Sequence, residues 1–249
     1  MNKPRISIIT ASFNSEKTIG DAIASLKCQS WPEIEHVVID GASRDATVAI
    51  ARQTLAASDI LVSEPDRGIF DALNKGLSKA SGDVVGFLNS DDLLADSQVL
   101  SKVAACFADP EIGAVYGDLQ YVSAGDPEKV IRHWRSGAFE RNKLRRGWMP
   151  PHPTFFMRRE LYRLLGGFDE TYRIAGDYEA LLRYLKHEAL QIRYLPEVLV
   201  KMRLGGASNG SLKAVVNKSR EDYRAMRKNG INPFLALPCK NLSKIPQFF

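Results

Sequence analysis

The chain has 249 residues, 45% hydrophobic and 25% charged, which excludes a low-complexity protein and allows one large domain or two small ones. Its longest apolar runs, residues 6–10 and 83–88, fall far short of the roughly 20 residues that span a bilayer. Residues 1–5 lead straight into a strand, which predicts no signal peptide. Three widely spaced cysteines, Cys28, Cys106 and Cys239, read as small hydrophobes in a reducing, cytoplasmic setting.

Strand and helix signals alternate over the first hundred residues. Residues 5–10 are a β-branched run read as a buried strand. Asn14 or Ser15 caps a helix whose apolar positions Ile19, Ala22, Ile23 and Leu26 recur at helical spacing. Residues 34–39 form the next strand, 45–57 a helix, 60–63 a strand, 68–80 a helix and 84–88 a strand. A further helix is expected over 93–107. Strands alternating with helices of about ten to fifteen residues predict an α/β fold with a mostly parallel sheet and helices on both faces.

The second half is less regular. Residues 113–122 and 129–134 read as paired strands, 148–153 as a proline-braced loop, 154–157 as a strand and 159–165 as a helix. Asp177 begins another helix with Leu181, Leu182 and Leu185 on one face, and residues 192–195 close the sheet. A basic helix over 211–228 and an apolar-basic tail over 233–249 follow. Residues 201–249 carry ten basic against two acidic side chains, whereas the first 200 residues balance at −3.

Ligands of parallel sheets gather at the carboxyl ends of the strands. Those ends hold residues 10–14, Asp40-Gly41, 64–67 and Asn89-Ser90-Asp91-Asp92, an acidic rim suited to a metal and to ribose or base hydroxyls. Adjacent carboxylates after a buried strand suit Mg2+ or Mn2+ held against a diphosphate, and equally suit a helix N-cap. Asp40 at the end of the second strand matches a dinucleotide-binding fold, but the glycine-rich turn such a fold requires is missing after the first strand. The phosphate loop of nucleoside triphosphatases is missing too. A nucleotidyltransferase would carry a glycine-rich basic loop there. A nucleic-acid module would use the basic stretches 132–146 and 220–228, which no nucleic-acid motif accompanies.

Four segments together are specific: Ser7-Ile-Ile-Thr-Ala-Ser-Phe-Asn14, Asp40-Gly-Ala-Ser-Arg-Asp45, Ser63-Glu-Pro-Asp-Arg-Gly-Ile-Phe-Asp-Ala-Leu-Asn-Lys-Gly76 and Gly86-Phe-Leu-Asn-Ser-Asp-Asp92. In order and spacing they resemble the motifs of family 2 glycosyltransferases, with the likeness continuing to about Ser208. Enzymes of bacterial exopolysaccharide, O-antigen and capsule assembly are the most similar members.

The resemblance implies a GT-A fold, a catalytic domain over 1–208 and a basic appendage over 209–249. Residues 1–110 would bind the nucleotide sugar and 111–208 the acceptor. It places Thr10, Ser12 and Phe13 at the base pocket, largely through backbone groups, with Asp40 accepting from the base. Glu64, Asp66 and Arg67 would border the nucleotide and sugar, with Asp71, Asn74 and Lys75 on the following helix. Asp91 and Asp92 match the metal-binding region, Asp92 being the foremost ligand of Mn2+ or Mg2+. Asn89 stands where many members have Asp.

Asp177 matches the catalytic base, with Glu179 the nearby alternative and a plain helix cap the bland one. Gly176 stands where many members have Glu. His152 matches an acceptor-side histidine, and Arg203 and Ser208 are weaker contacts to the diphosphate. A UDP- or GDP-sugar donor and a glycan or polyprenyl-diphosphate-linked acceptor follow, with no nucleic acid. The tail, including Phe234, Leu235, Phe248 and Phe249, either lies on the cytoplasmic face of the inner membrane or packs on the domain.

Overall fold

Strand β1 (Ile6–Ser12) is buried almost throughout, because its alternating side chains meet apolar layers on both faces of the sheet. A computed structural model describes residues 3–205 and 212–242. Ile6 and Ile8 face one layer with Ala22 and Leu26 of α1 (Ile19–Lys27) and Val99, Leu100 and Val103 of α4 (Val99–Cys106). Ile9 faces the other layer, with Phe70 and Leu73 of α3 (Ile69–Lys79) and Leu181, Leu182 and Leu185 of α7 (Gly176–Leu185). Each such side chain contributes about 1.5–3 kcal/mol relative to leaving it in water.

The sheet runs β3 (Ile60–Ser63), β2 (Ile34–Asp40), β1, β4 (Val84–Phe87), β8 (Phe156–Arg158), β6 (Ile112–Ser123), β9 (Gln191–Arg203) and β5 (Leu93–Leu94), with β7 (Asp126–Trp134) pairing β6 off that path. β2, β3 and β4 are all parallel to β1 or its neighbour. Beyond β4 the sheet is mixed. β8 is antiparallel to β4 and to β6, and β9 is parallel to β6. β7 is antiparallel to β6, as the sequence predicts.

Several expectations shift. Residues 93–107 are not one helix: β5 (Leu93–Leu94) pairs with β9 before α4 begins, because Leu94 is needed in the apolar layer at the sheet edge. Neither Asn14 nor Ser15 is the side-chain cap of α1, whose N-cap is Thr18; the Ser15 carbonyl instead accepts from the Thr18 and Ile19 amides. The helix expected over 45–57 is α2 (Thr47–Thr54), and Asp45 bonds the Thr47 amide and hydroxyl. The closing strand, expected over four residues, is β9 with thirteen.

Short elements α5 (Arg141–Leu144) and α6 (Arg159–Leu165) flank a 3-10 turn at His152–Thr154. The described residues end in α8 (Leu212–Lys228) and α9 (Pro233–Leu242). α8 packs on α7, and α9 packs on α8. Phe234 and Leu235 are 80% and 56% exposed, with the Phe234 ring meeting Tyr223 of α8 edge-on at 6.0 Å, while Ala236 and Lys240 of the same helix are buried. Phe248, Phe249 and Ser208 lie outside the described residues. Among the described residues, no helix is long and apolar enough to cross a membrane.

Candidate active site

The register of the parallel strands sets Ser12, Asp40 and Ser63 in one row at their carboxyl ends. Asp40 is fully buried, and its carboxylate accepts from Ser12 Oγ (3.2 Å), Ser43 N (2.9 Å), Ser43 Oγ and Ser63 Oγ (2.8 Å). Four protein donors match the roughly four lone-pair sites of a carboxylate, so Asp40 frames this rim. The turns after β1 and β2 are zipped together: Asn14 N donates to Ser43 Oγ at 2.8 Å, and Arg44 N to Asn14 Oδ1 at 3.0 Å. Asn14 and Ala42 both have positive φ, 49° and 60°, conformations uncommon outside glycine and frequent at functional sites.

Thr10 is buried with Oγ1 3.0 Å from His36 Nε2, so its hydroxyl faces the core and only its backbone remains available to a pocket. Phe13, 61% exposed, presents its ring at the rim. Asp66 packs directly on Gly41, where a Cβ would lie 2.4 Å from Asp66 Oδ2, and it accepts from the Gly68 amide at 2.9 Å. Arg67 pairs with Asp71 and Glu170, and Lys75 joins Glu64 at 2.9 Å and the Pro65 carbonyl. Asn74 is turned elsewhere: its amide donates to the Phe168 carbonyl and accepts from the Phe168 amide, at 2.9 and 2.8 Å. It thereby ties α3 to the turn before α7.

Asp91 and Asp92 follow β4. They do not cap α4, which starts seven residues after Asp92 with β5 between. Asp92 is fully buried and receives Asn89 Nδ2 at 2.7 Å and the Arg203 amide at 3.2 Å. Burial, then the charge of Asp91, pushes its carboxyl up to about 8. Burial also raises Asp91. Two adjacent acids that pay this desolvation cost, offset only in part by Arg203, fit a divalent cation, which would add positive charge there. Among the described residues no group of three or more His, Cys, Asp or Glu is gathered for a metal. The pair therefore suits an ion whose remaining ligands are phosphate oxygens and water.

Asp177 lies in the first turn of α7 and is half-buried. The two acids of that turn differ sharply. Glu179 is fully buried between Arg183 and Lys228, at 3.1 and 3.0 Å, and despite burial these partners hold its carboxyl low. Gly176 has no room for a side chain, since a Cβ would meet the Phe70 ring at 2.6 Å. His152 stacks on Phe87 (5.0 Å) and meets Phe168 edge-on (5.4 Å). Burial holds the imidazole neutral, against the opposing pull of Asp177.

Tyr121 of β6 pairs with Met202 of β9, next to Arg203, whose amide bonds Asp92. Burial raises its hydroxyl most; Arg132 opposes, and the charges of Asp92 and of Asp177 add to the rise. Arg132, paired across from Tyr121 in β7, lies 4.7 Å over its ring.

The profile of glycosyl transferase family 2 matches residues 7–175. The chain belongs to this family. A PGL/p-HBAD biosynthesis glycosyltransferase of Mycobacterium bovis (strain BCG / Pasteur 1173P2) is 31% identical over 214 residues, 84% of this chain and 81% of that protein. The putative glycosyltransferase EpsE of Bacillus subtilis (strain 168) is 29% identical over 211 residues, covering 80% and 73%.

Among solved structures, S. aureus TarS 1-349 in complex with UDP-GlcNAc superimposes with a TM-score of 0.68 at 20% identity, over 90% of this chain and 65% of that one. The mannosyltransferase PcManGT from Pyrobaculum calidifontis, in complex with GDP-Man and Mn2+, gives 0.65 at 20% identity, over 99% and 75%. These likenesses establish the GT-A fold. This family 2 glycosyltransferase is therefore an enzyme, and the nucleotidyltransferase and nucleic-acid alternatives are set aside.

Within the glycosyltransferase, Tyr121, Arg132, Ser43 and Ser63 escape sequence reasoning. Tyr121 sits in a plain strand pattern, and only the pairing of β6 with β9 sets it beside the Arg203 backbone that bonds Asp92. The serines have a signal in hindsight, since Ser43 and Ser63 stand inside the matched segments.

Proposed function

We propose that this family 2 enzyme is an inverting, metal-assisted transferase that moves a sugar from UDP or GDP to a hydroxyl of a glycan or polyprenyl-diphosphate-linked acceptor in bacterial surface polysaccharide assembly. The observation that carries it is the buried Asp92 beside Asp91 at the carboxyl end of β4, together with the split between the acids of α7, where two cations already consume Glu179. Of the acids on α7, this leaves Asp177 to take a proton.

In this account Phe13 stacks on the base, and Ser12 and Asp40 hold the turn that receives it. Asp66, on Gly41, borders the ribose and sugar, with Glu64, Arg67, Asp71 and Lys75 as a charged frame around it. Asp91 and Asp92 hold Mn2+ or Mg2+. An ion held there would supply Lewis-acid stabilisation of the departing diphosphate; the solved PcManGT structure, with GDP-Man and Mn2+, supports a divalent ion. Asp177 accepts the proton of the acceptor hydroxyl as its oxygen bonds the anomeric carbon and the bond to the diphosphate breaks. One displacement inverts the configuration. Neutral His152 lines the acceptor side.

Membrane contact is assigned to α9, where Phe234, Leu235 and Leu242 are exposed beside basic α8, a composition suited to the cytoplasmic surface of an anionic bilayer. The test is proton NMR of the first-formed product from a panel of UDP- and GDP-sugars with Mn2+. An anomeric configuration opposite to that of the donor is expected; retention would contradict the single displacement.

A further inference from the structure

The backbone that precedes Asp177 is held by a helix that the sequence sets apart from the catalytic domain. Glu221, on α8, accepts four hydrogen bonds from three consecutive amides. Arg173 N reaches both carboxylate oxygens (3.0 and 3.2 Å), and Ile174 N and Ala175 N reach Oε2 at 2.8 Å each. Ala175 is the N-cap of α7, and Asp177 stands two residues further on. Successive amides converging on one carboxylate form an anion-binding nest, and each bond is charge-assisted. Ala175 N lies at the helix start, where backbone donors lack intrahelical partners, and Arg173 N and Ile174 N lie just ahead of it.

The same helix grips the segment at further points. Arg224 lies 3.7 Å over the Tyr172 ring and bonds the Thr171 hydroxyl at 2.9 Å. Lys228 bonds Asp169 at 2.8 Å and Glu179 at 3.0 Å. Asp222, beside Glu221, is buried against Lys240 of α9, whose ammonium sits 3.2 Å from the centre of the Tyr178 ring. On the other side, α7 starts flush against Phe70, where Gly176 leaves no gap.

We propose that Glu221 is a positioning residue for sugar transfer: it fixes the backbone from which Asp177 projects, so that α8 is part of the active site. This rests on Asp177 being the base. Glu221 works through main-chain amides, so its removal shifts the base without touching the donor. A displacement of about 1 Å at a reacting group costs on the order of 100-fold in rate.

The test uses the full chain, Mn2+ and the UDP- or GDP-sugar that the wild type consumes, with water as acceptor and nucleoside diphosphate release as the signal. Glu221→Gln is expected to lower kcat about 10- to 100-fold, with the donor KM within about twofold of wild type. Added to Asp177→Ala it is expected to have no further effect, because the two residues act as one unit. Backbone amide exchange over residues 173–175 is expected to accelerate in the variant.

A Glu221→Gln enzyme with wild-type kcat beside a slow Asp177→Ala would overturn the positioning role, as would a full multiplicative loss in the double variant. An Asp177→Ala enzyme as fast as wild type would instead overturn the base assignment. Glu221→Gln preserves side-chain volume, and it carries the test where Glu221→Ala does not fold.

Discussion

The side-chain amide of Asn89 donates to the Asp92 carboxylate at 2.7 Å. A position that many family members fill with Asp thus serves here as a brace on the buried acid. Asn89→Asp would remove that donor and set a third carboxylate beside Asp91 and Asp92. An intramolecular hydrogen bond contributes about 0.5–1.5 kcal/mol, so the metal-free variant should melt a few degrees lower than wild type. Mn2+ should restore the loss, since an added carboxylate raises affinity for a hard cation. Differential scanning with and without Mn2+ decides it; a variant that Mn2+ does not rescue would count against a cation at this turn.

Gly41 and Asp66 form a second close pair. Because a Cβ at position 41 would lie 2.4 Å from Asp66 Oδ2, Gly41→Ala should push the carboxylate aside and raise the donor KM roughly tenfold, the scale of losing one charge-assisted contact. The steric conflict is absent in the background of Asp66→Ala, where adding Gly41→Ala should leave the melting temperature unchanged. Kinetics of the single variant and melting of the double check both halves.

The C-terminal helices should prove integral to stability. Asp222 and Lys240 are 2% and 5% exposed and lie 2.8 Å apart. Breaking a buried pair from one side costs about 3–5 kcal/mol, because the remaining charge stays buried. Asp222→Asn should therefore lower the melting temperature on the order of 10 °C, and Asp222→Leu with Lys240→Met should recover most of it. Melting curves of the three proteins test this.

Acid sensitivity should trace in part to His36. Burial, assisted by Lys27, pushes its imidazole down to about 3, below the ordinary value near 6.5. The unfolded chain then takes up the proton first. The contribution to stability is complete above pH 6.5 and falls as pH drops towards 3, by up to about 1.4 kcal/mol per pH unit. His36→Gln should flatten that slope in urea titrations between pH 7 and 4.5; an unchanged slope would assign the sensitivity elsewhere.

Much of the frame was legible in the sequence because it depends on local pattern. The β-branched run over residues 5–10 marked β1, and the helical spacing of Ile19, Ala22, Ile23 and Leu26 marked the buried face of α1. The four matched segments led to the family. What was not legible depends on long-range pairing. Leu93 and Leu94 look helical beside residues 99–106, yet a partner more than a hundred residues away makes them a strand.

The division of labour on α7 was equally hidden. Asp177 and Glu179 are alike as letters, and only Arg183 and Lys228, converging from α7 and α8, distinguish them. Asn74 reads as a ligand-facing polar residue until its amide is seen clasping the Phe168 backbone.

The most direct test of the account is the Mn2+-dependent binding of nucleoside diphosphates, followed by thermal shift on wild type and Asp92→Ala. A ligand at a hundred times its Kd stabilises by about 2.7 kcal/mol. The account predicts a clear upward shift for UDP or GDP that requires Mn2+ and disappears in Asp92→Ala. A shift of equal size without Mn2+, or one retained in Asp92→Ala, would contradict a donor site built on the Asp91–Asp92 pair.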